Sequence, residues 1–407
     1  MFLGYLNSEK STVARVSAYY FLLFMSVGTG LPYVGLWLKS QAMTDPQVGF
    51  ILACPSFAMV ATTLLIGRLA DRAKDWRTSI IVCNWAIVLL VGFLIFAQGF
   101  VQILIVWTLW GLVIMAKFPI LDAAAVRMSR HRNIEFHKIR AVGSVGFVVG
   151  TLLAGPFFEW AGIESFTLLI FTLAVMRALA SHALPFFRQG IDASSESATG
   201  SALAGATAGK VASDHGSIAS DNYKRMWFLL VLVGSALLHA SHAFYYTFST
   251  IVWTDEGFSK TTISLLWSIG VICEIVLMWK FAVIQKKYSA RILLIAAAGS
   301  AFVRWLCFGF APGLAMLFLL QLLHGVTFAL MFLATVNFIA NWTPVEISAR
   351  AQALSATLNT LLMACATVLS GFIFGALQLT GYWIMAALCL LAILMVSFSW
   401  CLAGKSD

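Results

Sequence analysis

Apolar runs long enough to cross a bilayer follow one another along almost the whole chain, and no other feature restricts the fold as tightly. A helix needs about 20 such residues to span roughly 30 Å of hydrocarbon. Twelve runs reach that length, at about 13–38, 46–67, 78–99, 101–126, 138–160, 164–187, 225–251, 261–284, 290–310, 312–340, 347–374 and 378–402. In lipid only helices and closed strand barrels satisfy the backbone internally. Barrels carry short segments of alternating polarity, and the 407-residue sequence has no such pattern. Composition agrees: 11% of residues are charged, where soluble domains hold about one quarter. The expectation is an all-α polytopic membrane protein with 12 transmembrane helices in two six-helix bundles.

The placement of charge gives the topology. Loops after the even runs are basic, with Arg68, Arg72, Lys74 and Arg77, then Arg127, Arg130, Arg132 and Lys138, then Lys286, Lys287 and Arg291. Loops on the other side hold only Lys39 and Lys260. Basic loops stay cytoplasmic, which predicts both termini inside. The net charge of +9 thus sets orientation, and no nucleic-acid partner is expected. The seven cysteines all fall in apolar runs without metal-ligand spacing, so they are read as reduced packing residues.

Residues 188–224 are rich in Ser, Ala and Gly, the composition of a flexible linker. They divide the chain into an N-terminal bundle, 1–187, and a C-terminal bundle, 225–407. Two such halves imply a solute site at mid-membrane, worked by rocking. No first helix is shaped like a cleavable leader.

Ionisable residues inside the runs are few: Asp122 and Glu274 against Lys117, Arg140, Arg177 and Arg304, with His182, His239, His242 and His324. Each costs at least ~2.5–3.5 kcal/mol to insert, so such residues line a bundle interior or a wet path. Two carboxylates among four cations leave an electropositive interior suited to an anion. Asp122 and Arg140 stand about nine residues either side of a turn near His131, so an antiparallel hairpin sets them at similar depth. Ser235, His239, His242 and Tyr246 recur at helical spacing as one polar stripe, and Trp267 precedes Glu274 by two turns. In the first run Tyr19, Ser26, Gly30 and Tyr33 share a stripe. Aromatic walls with a few polar groups suit a small aromatic carboxylate. Gly143, Gly146 and Gly150 are read as helix-packing positions.

The stretch GRLADRAKDWR (67–77) resembles the loop signature of the major facilitator superfamily. It matches at Gly67, Leu69, Ala70, Asp71 and Arg72 and departs near Ala73 and Lys74. The resemblance implies a cytoplasmic gate at Gly67, Asp71 and Arg72. LDAAAVRMSRHRNIEFHKIRAVGSVGF (121–147) is similar to the hairpin of the lactose permease family, where the matching acid and Arg bind ligand; that role carries to Asp122 and Arg140, with a structural ion pair as the other reading. Glu274, Arg304 and His324 match the same family's proton site. The family's acid after the histidine is Thr327 here, and its charge pair between the seventh and eleventh spans is missing, with Asn359 in its place. LLHASHAFYYTFSTIVW (237–253), LLWSIGVICEIV (265–276), FVRW (302–305) and QLLHGVTF (321–328) resemble the phenylpropionate permease branch.

The resemblance implies a multi-pass protein of a bacterial inner membrane, acting as a monomer without cofactor, with the proton as coupling ion and a small organic anion as solute. Proton coupling falls to Glu274, Arg304, His324 and Asp122. Solute binding falls to Asp122, Arg140, Arg304, His239, His242, Tyr246, Trp267 and Tyr33. A sugar or nucleoside symporter is a second expectation, since Asp122 and Arg140 also bond hydroxyls. Efflux by antiport is a third, from Gly155–Pro156. No nucleophile elbow, metal cluster or phosphate loop argues for an enzyme.

Overall fold

A computed structural model describes residues 9–71, 75–131, 135–187 and 222–403, with backbone alone at 9–10, 63–71 and 131. Regular structure among them is entirely helical. The helices are α1 (Glu9–Gly30), α2 (Val34–Ser40), α3 (Asp45–Asp71), α4 (Trp76–Phe96), α5 (Gly99–His131), α6 (Phe136–Ala161) and α7 (Phe166–Ser181). The series continues with α8 (Met226–Ala240), α9 (Ala243–Asp255), α10 (Lys260–Ile284), α11 (Ala290–Phe308), α12 (Leu314–Leu322), α13 (Met331–Trp342), α14 (Val345–Leu377) and α15 (Gly381–Ala403).

Among the described residues nine helical runs are long and apolar enough to cross a membrane, or ten if the bent pair of α1 and α2 is one span. The hydropathy reading expects twelve. One of the nine, Val345–Ala403, is 59 residues long and contains both α14 and α15. Large apolar side chains face outward, among them Phe93, Trp160 and Trp279. In water such a surface would associate; in lipid it is the solvent-facing side.

The chain divides into two compact units. The first is Met1–Ser195 with Thr250–Ser268, and the second is Glu196–Ser249 with Ile269–Asp407. The division differs from a cut at the linker because the α9–α10 turn is tied to the first unit. Tyr33 Oη donates to the Lys260 carbonyl at 2.7 Å, and the Lys260 N–H donates to Glu159 Oε2 at 2.7 Å. The linker expected at 188–224 lies outside the described residues except for a short 3-10 turn at Asn222–Lys224.

In the first unit α1 packs along α6, and small residues set how close they come. A Cβ at Gly146 would overlap the Phe21 carbonyl, and one at Gly150 the Met25 carbonyl. Thr151 Oγ1 donates to the Gly28 carbonyl at 3.0 Å, and Thr29 Oγ1 returns a bond to the Gly150 carbonyl at 3.3 Å. Lipid offers no hydrophobic drive between helices, so this backbone approach and these bonds hold the seam. Asp75 caps α4 through the Arg77 N–H and also accepts from the Phe187 N–H at 3.1 Å, which fixes the segment after α7 against the start of α4.

Three interruptions mark the helices. The chain turns at 31–33 between α1 and α2, which meet at 48°. It turns again at Ser241–His242 between α8 and α9, and it widens to a π-helical turn at Gly325–Leu330. Side chains from the last two interruptions meet in the second unit.

Candidate functional site

Glu274 on α10 lies in that second unit, and its Oε1 is 2.8 Å from His324 Nε2. The other ring nitrogen of His324, Nδ1, faces Arg304 Nη1 at 3.0 Å. Arg304 Nη2 donates to Gln321 Oε1 at 2.5 Å, and Gln321 Nε2 donates to Tyr245 Oη at 2.9 Å. Arg304 also lies over the rings of Tyr245 and Trp305, each 4.6 Å from its centroid. Arg304 and Gln321 are fully buried. An isolated buried guanidinium would cost several kcal/mol; here hydrogen bonds, two ring faces and a nearby carboxylate offset that cost.

The geometry assigns the protons. A guanidinium only donates, so His324 Nδ1, facing Arg304, is an unprotonated acceptor. Neutral His324 then carries its proton on Nε2 and donates it to Glu274. An imidazolium would point a second N–H at Arg304, so this arrangement holds His324 neutral. The group that can take and release a proton without breaking the network is Glu274, through its second carboxylate oxygen. His324 positions it.

The π-helical turn delivers Thr327, whose Oγ1 lies 3.1 Å from His242 Nε2 and 3.5 Å from Arg304 Nη1. His242 sits at the break between α8 and α9, fully buried, with Nδ1 3.1 Å from the Leu238 carbonyl. That carbonyl accepts, so the His242 proton is on Nδ1 and Thr327 donates to Nε2. Thr327 stands where the resemblance implies an acid, and the hydroxyl completes the histidine instead. Tyr246 packs against the His242 ring at 5.9 Å. The stripe expected on one continuous helix is broken at Ser241–His242: Ser235 bonds Thr335 Oγ1 at 2.5 Å, and His239 lines a cavity of about 100 Å³ with Ser235 and Thr335.

In the first unit, Asp122 and Arg140, expected as a charge pair, are near enough for charge attraction but make no direct bond. Asp122 Oδ1 accepts from Tyr20 Oη at 2.6 Å, while Arg140 lies 4.0 Å over the Phe24 ring. Tyr20 and Phe24 stack at 6.5 Å, so acid and base each engage one ring of an aromatic pair on α1. Among the described residues no carboxylate lies within 4.0 Å of Arg140. Tyr33 spends its hydroxyl on Lys260, and Trp267 donates from Nε1 to Thr250 Oγ1 at 3.1 Å. Both are buried, so the polar groups offered to a solute by sequence are engaged inside the protein. Lys117 and Arg177, also buried, converge on Asn84 Oδ1 at 3.1 and 3.2 Å, and Asn84 donates to Tyr19 Oη at 2.7 Å.

Of the expected gate, Arg72 lies outside the described residues, and Gly67 and Asp71 are described in backbone only, at the end of α3. All seven cysteines are free. Among the described residues no group of three or more His, Cys, Asp and Glu is placed to hold a metal. Sequence reading missed Gln321, Tyr245 and Asn84. Their signal is neutral polarity inside apolar runs, weaker than that of an ionisable group.

The profile of the MFS_1 like family matches residues 13–385. The chain is 29% identical over 393 residues to the "Probable 3-phenylpropionic acid transporter" of Escherichia coli strain K12, covering 92% of this chain and 95% of the relative. It is 24% identical to the maltose permease of Geobacillus stearothermophilus, covering 91% and 90%. The crystal structure of the nucleoside transporter NupG superposes with a TM-score of 0.78 at 16% identity, covering 95% of this chain and 98% of that one, which shows a shared fold. The relatives are transporters and not enzymes. This multi-pass chain, matched along most of its length, belongs to the MFS_1 like family of the major facilitator superfamily.

Proposed function

We propose that the protein is a proton-coupled symporter of a small organic anion, an aromatic carboxylate, working by alternating access in a bacterial inner membrane with both termini cytoplasmic. The observation that carries the anion is Arg140. It is a cation within a membrane span, stacked on Phe24, with Asp122 near enough for charge attraction but no carboxylate within 4.0 Å among the described residues. A guanidinium supplies a bidentate fork for a carboxylate, and a ring face beside it accepts an aryl group. The relative whose name specifies 3-phenylpropionic acid supports the same class. Asp122, held by Tyr20, orients that wall.

Glu274 carries the proton, with His324 and Arg304 holding its carboxyl. A proton and a solute drive transport together only when the two access states bind them with different affinities, and a buried carboxyl whose partners are ring nitrogen and guanidinium is sensitive to small changes in water access. A sugar or nucleoside symporter is the second reading, supported by the maltose permease relative and by the hydroxyl-binding capacity of Asp122.

Purified protein in proteoliposomes tests this. An inward-directed pH gradient should concentrate labelled 3-phenylpropionate inside the vesicles, and collapse of the gradient should abolish the accumulation. Accumulation of maltose or a nucleoside instead, with none of the acid, overturns the anion reading.

A further inference from the structure

Three glycines of α6, at 143, 146 and 150, face α1, and they do not serve the same purpose. At Gly146 and Gly150 the atoms nearest to an added Cβ are backbone, the Phe21 and Met25 carbonyls, so these two set how close the helices come. At Gly143 the three nearest atoms are all side chain: Phe24 Cδ2 at 2.7 Å, Phe24 Cε2 at 3.3 Å and Arg140 Nη1 at 3.4 Å. A Cβ on a helix leans toward the N-terminus, so a side chain at 143 would lie over the turn that carries Arg140. Its absence leaves a seat for the Phe24 ring, and Arg140 stacks on that ring at 4.0 Å. Phe118 meets Phe24 edge-on at 5.6 Å, and Phe136 meets Tyr20 edge-on at 6.3 Å. Phe24, Phe118 and Phe136 are only partly buried, which leaves aromatic surface open beside the guanidinium. All of these residues belong to the first unit.

We infer that Gly143 determines specificity: by seating the Phe24 ring it sets the spacing between the Arg140 fork and the aromatic wall, and so the length of alkyl chain between the carboxylate and the aryl group of the solute. The inference rests on the organic-anion reading above and adds chain length to it. Paired N–H bonds from a guanidinium fix the direction of a carboxylate as well as its position. The aryl group then meets the wall only when the chain between them has the matching length. A methyl group added at 143 would lie 2.7 Å from Phe24 Cδ2, and the ring would have to retreat by about 1 Å to regain ordinary carbon–carbon contact. That displacement is close to the step one methylene adds to an extended chain. The ring is rigid and has Phe118 and Tyr20 beside it, so its shift is passed to the guanidinium stacked on it.

Isothermal titration of the purified full-length protein with benzoate, phenylacetate, 3-phenylpropionate and 4-phenylbutyrate tests this. The reading is the ratio of affinities between neighbouring chain lengths, which cancels any general loss from a substitution. The unmodified protein should prefer one length about tenfold over the next, the lower end of what one methylene is worth in a fitted pocket. In Gly143→Ala that ratio should change by about tenfold. In a Phe24→Leu background the same substitution should leave the ratio as it was, because the ring through which it acts is gone. If Gly143→Ala does not fold, Phe24→Leu alone carries the test, since loss of the seated ring must also change the ratio. Equal affinities for all four acids in the unmodified protein overturn the inference and leave the anion reading standing. So does a uniform weakening in Gly143→Ala, a change that persists without Phe24, or an unchanged ratio in Phe24→Leu. If the unmodified protein binds none of the acids, the anion reading fails and the inference falls with it.

Discussion

Replacing Glu274 with Gln separates proton coupling from solute binding, and the structure says why the variant should fold. The Glu274 Oε1 that accepts from His324 Nε2 at 2.8 Å has a counterpart in the Gln amide oxygen, with the same reach. The bond changes from charge-assisted, about 1.5–3 kcal/mol, to neutral, about 0.5–1.5 kcal/mol, so the loss is about 1 kcal/mol. The charge of the cluster changes as well. Ionised Glu274 and Arg304 sum to zero, while Gln with Arg304 leaves +1, the same as the protonated carboxyl. The variant is therefore fixed in the proton-loaded condition. Each pH unit of gradient is worth about 1.4 kcal/mol for one coupled proton, or up to tenfold accumulation. Proteoliposomes containing Glu274→Gln should exchange labelled solute across equal pools, yet accumulate none when a gradient is imposed. Tenfold accumulation per pH unit in the variant would refute the assignment of the proton to Glu274. Loss of exchange together with accumulation would show that the carboxylate is needed for binding itself.

Further substitutions test the neighbours. His324→Gln should slow uptake and still accumulate solute under a pH gradient, because His324 positions the carboxyl and does not carry the proton; abolished accumulation with intact exchange would move the carrier role to the histidine. Asn84→Leu should lower thermal stability in detergent by about 3 kcal/mol, since Lys117 and Arg177 lose their shared acceptor, and adding Lys117→Met should recover part of the loss; an unchanged melting curve refutes the cluster. Arg140→Lys should weaken solute affinity about tenfold in titration, because a point charge replaces a fork. Tyr33→Phe should cost about 1 kcal/mol of stability through the Lys260 carbonyl bond and leave solute affinity as it was, which a drop in affinity would contradict.

The fold was legible because lipid reduces the choice of structure to length and polarity, and both can be read from single runs of residues. Glu274, Arg304 and His324 were legible for the same reason: charge in an apolar run is costly, so each needs a partner, and three such residues on neighbouring helices partner one another. Asn84 and Gln321 were not, because a neutral amide carries no comparable insertion cost and blends into a polar minority. Yet each is where cations converge, Lys117 and Arg177 on one, Arg304 on the other. Asp122 and Arg140 make no direct bond for a different reason. Sequence spacing fixes depth along two antiparallel helices but not rotation, and here Tyr20 from α1 takes the carboxylate.

The breaks in helicity explain what the polar stripe could not. A stripe drawn at positions 235, 239, 242 and 246 assumes constant rotation per residue, and the turn at Ser241–His242 resets it. As a result His239 and His242 have unlike surroundings despite three residues' separation. His242 is fully bonded between the Leu238 carbonyl and Thr327, while His239 keeps Nδ1 without a partner at the wall of the cavity. The π-helical turn acts in the same sense. Widening the helix by one residue aims Thr327 at His242 and Arg304 while Phe328 faces the cavity. Such single-turn expansions carry a cost in helix geometry and occur mostly at functional sites. Here the expansion lets one short segment serve two neighbouring places: the hydrogen-bonded cluster of His242, Arg304 and His324, and the cavity lined by Phe328.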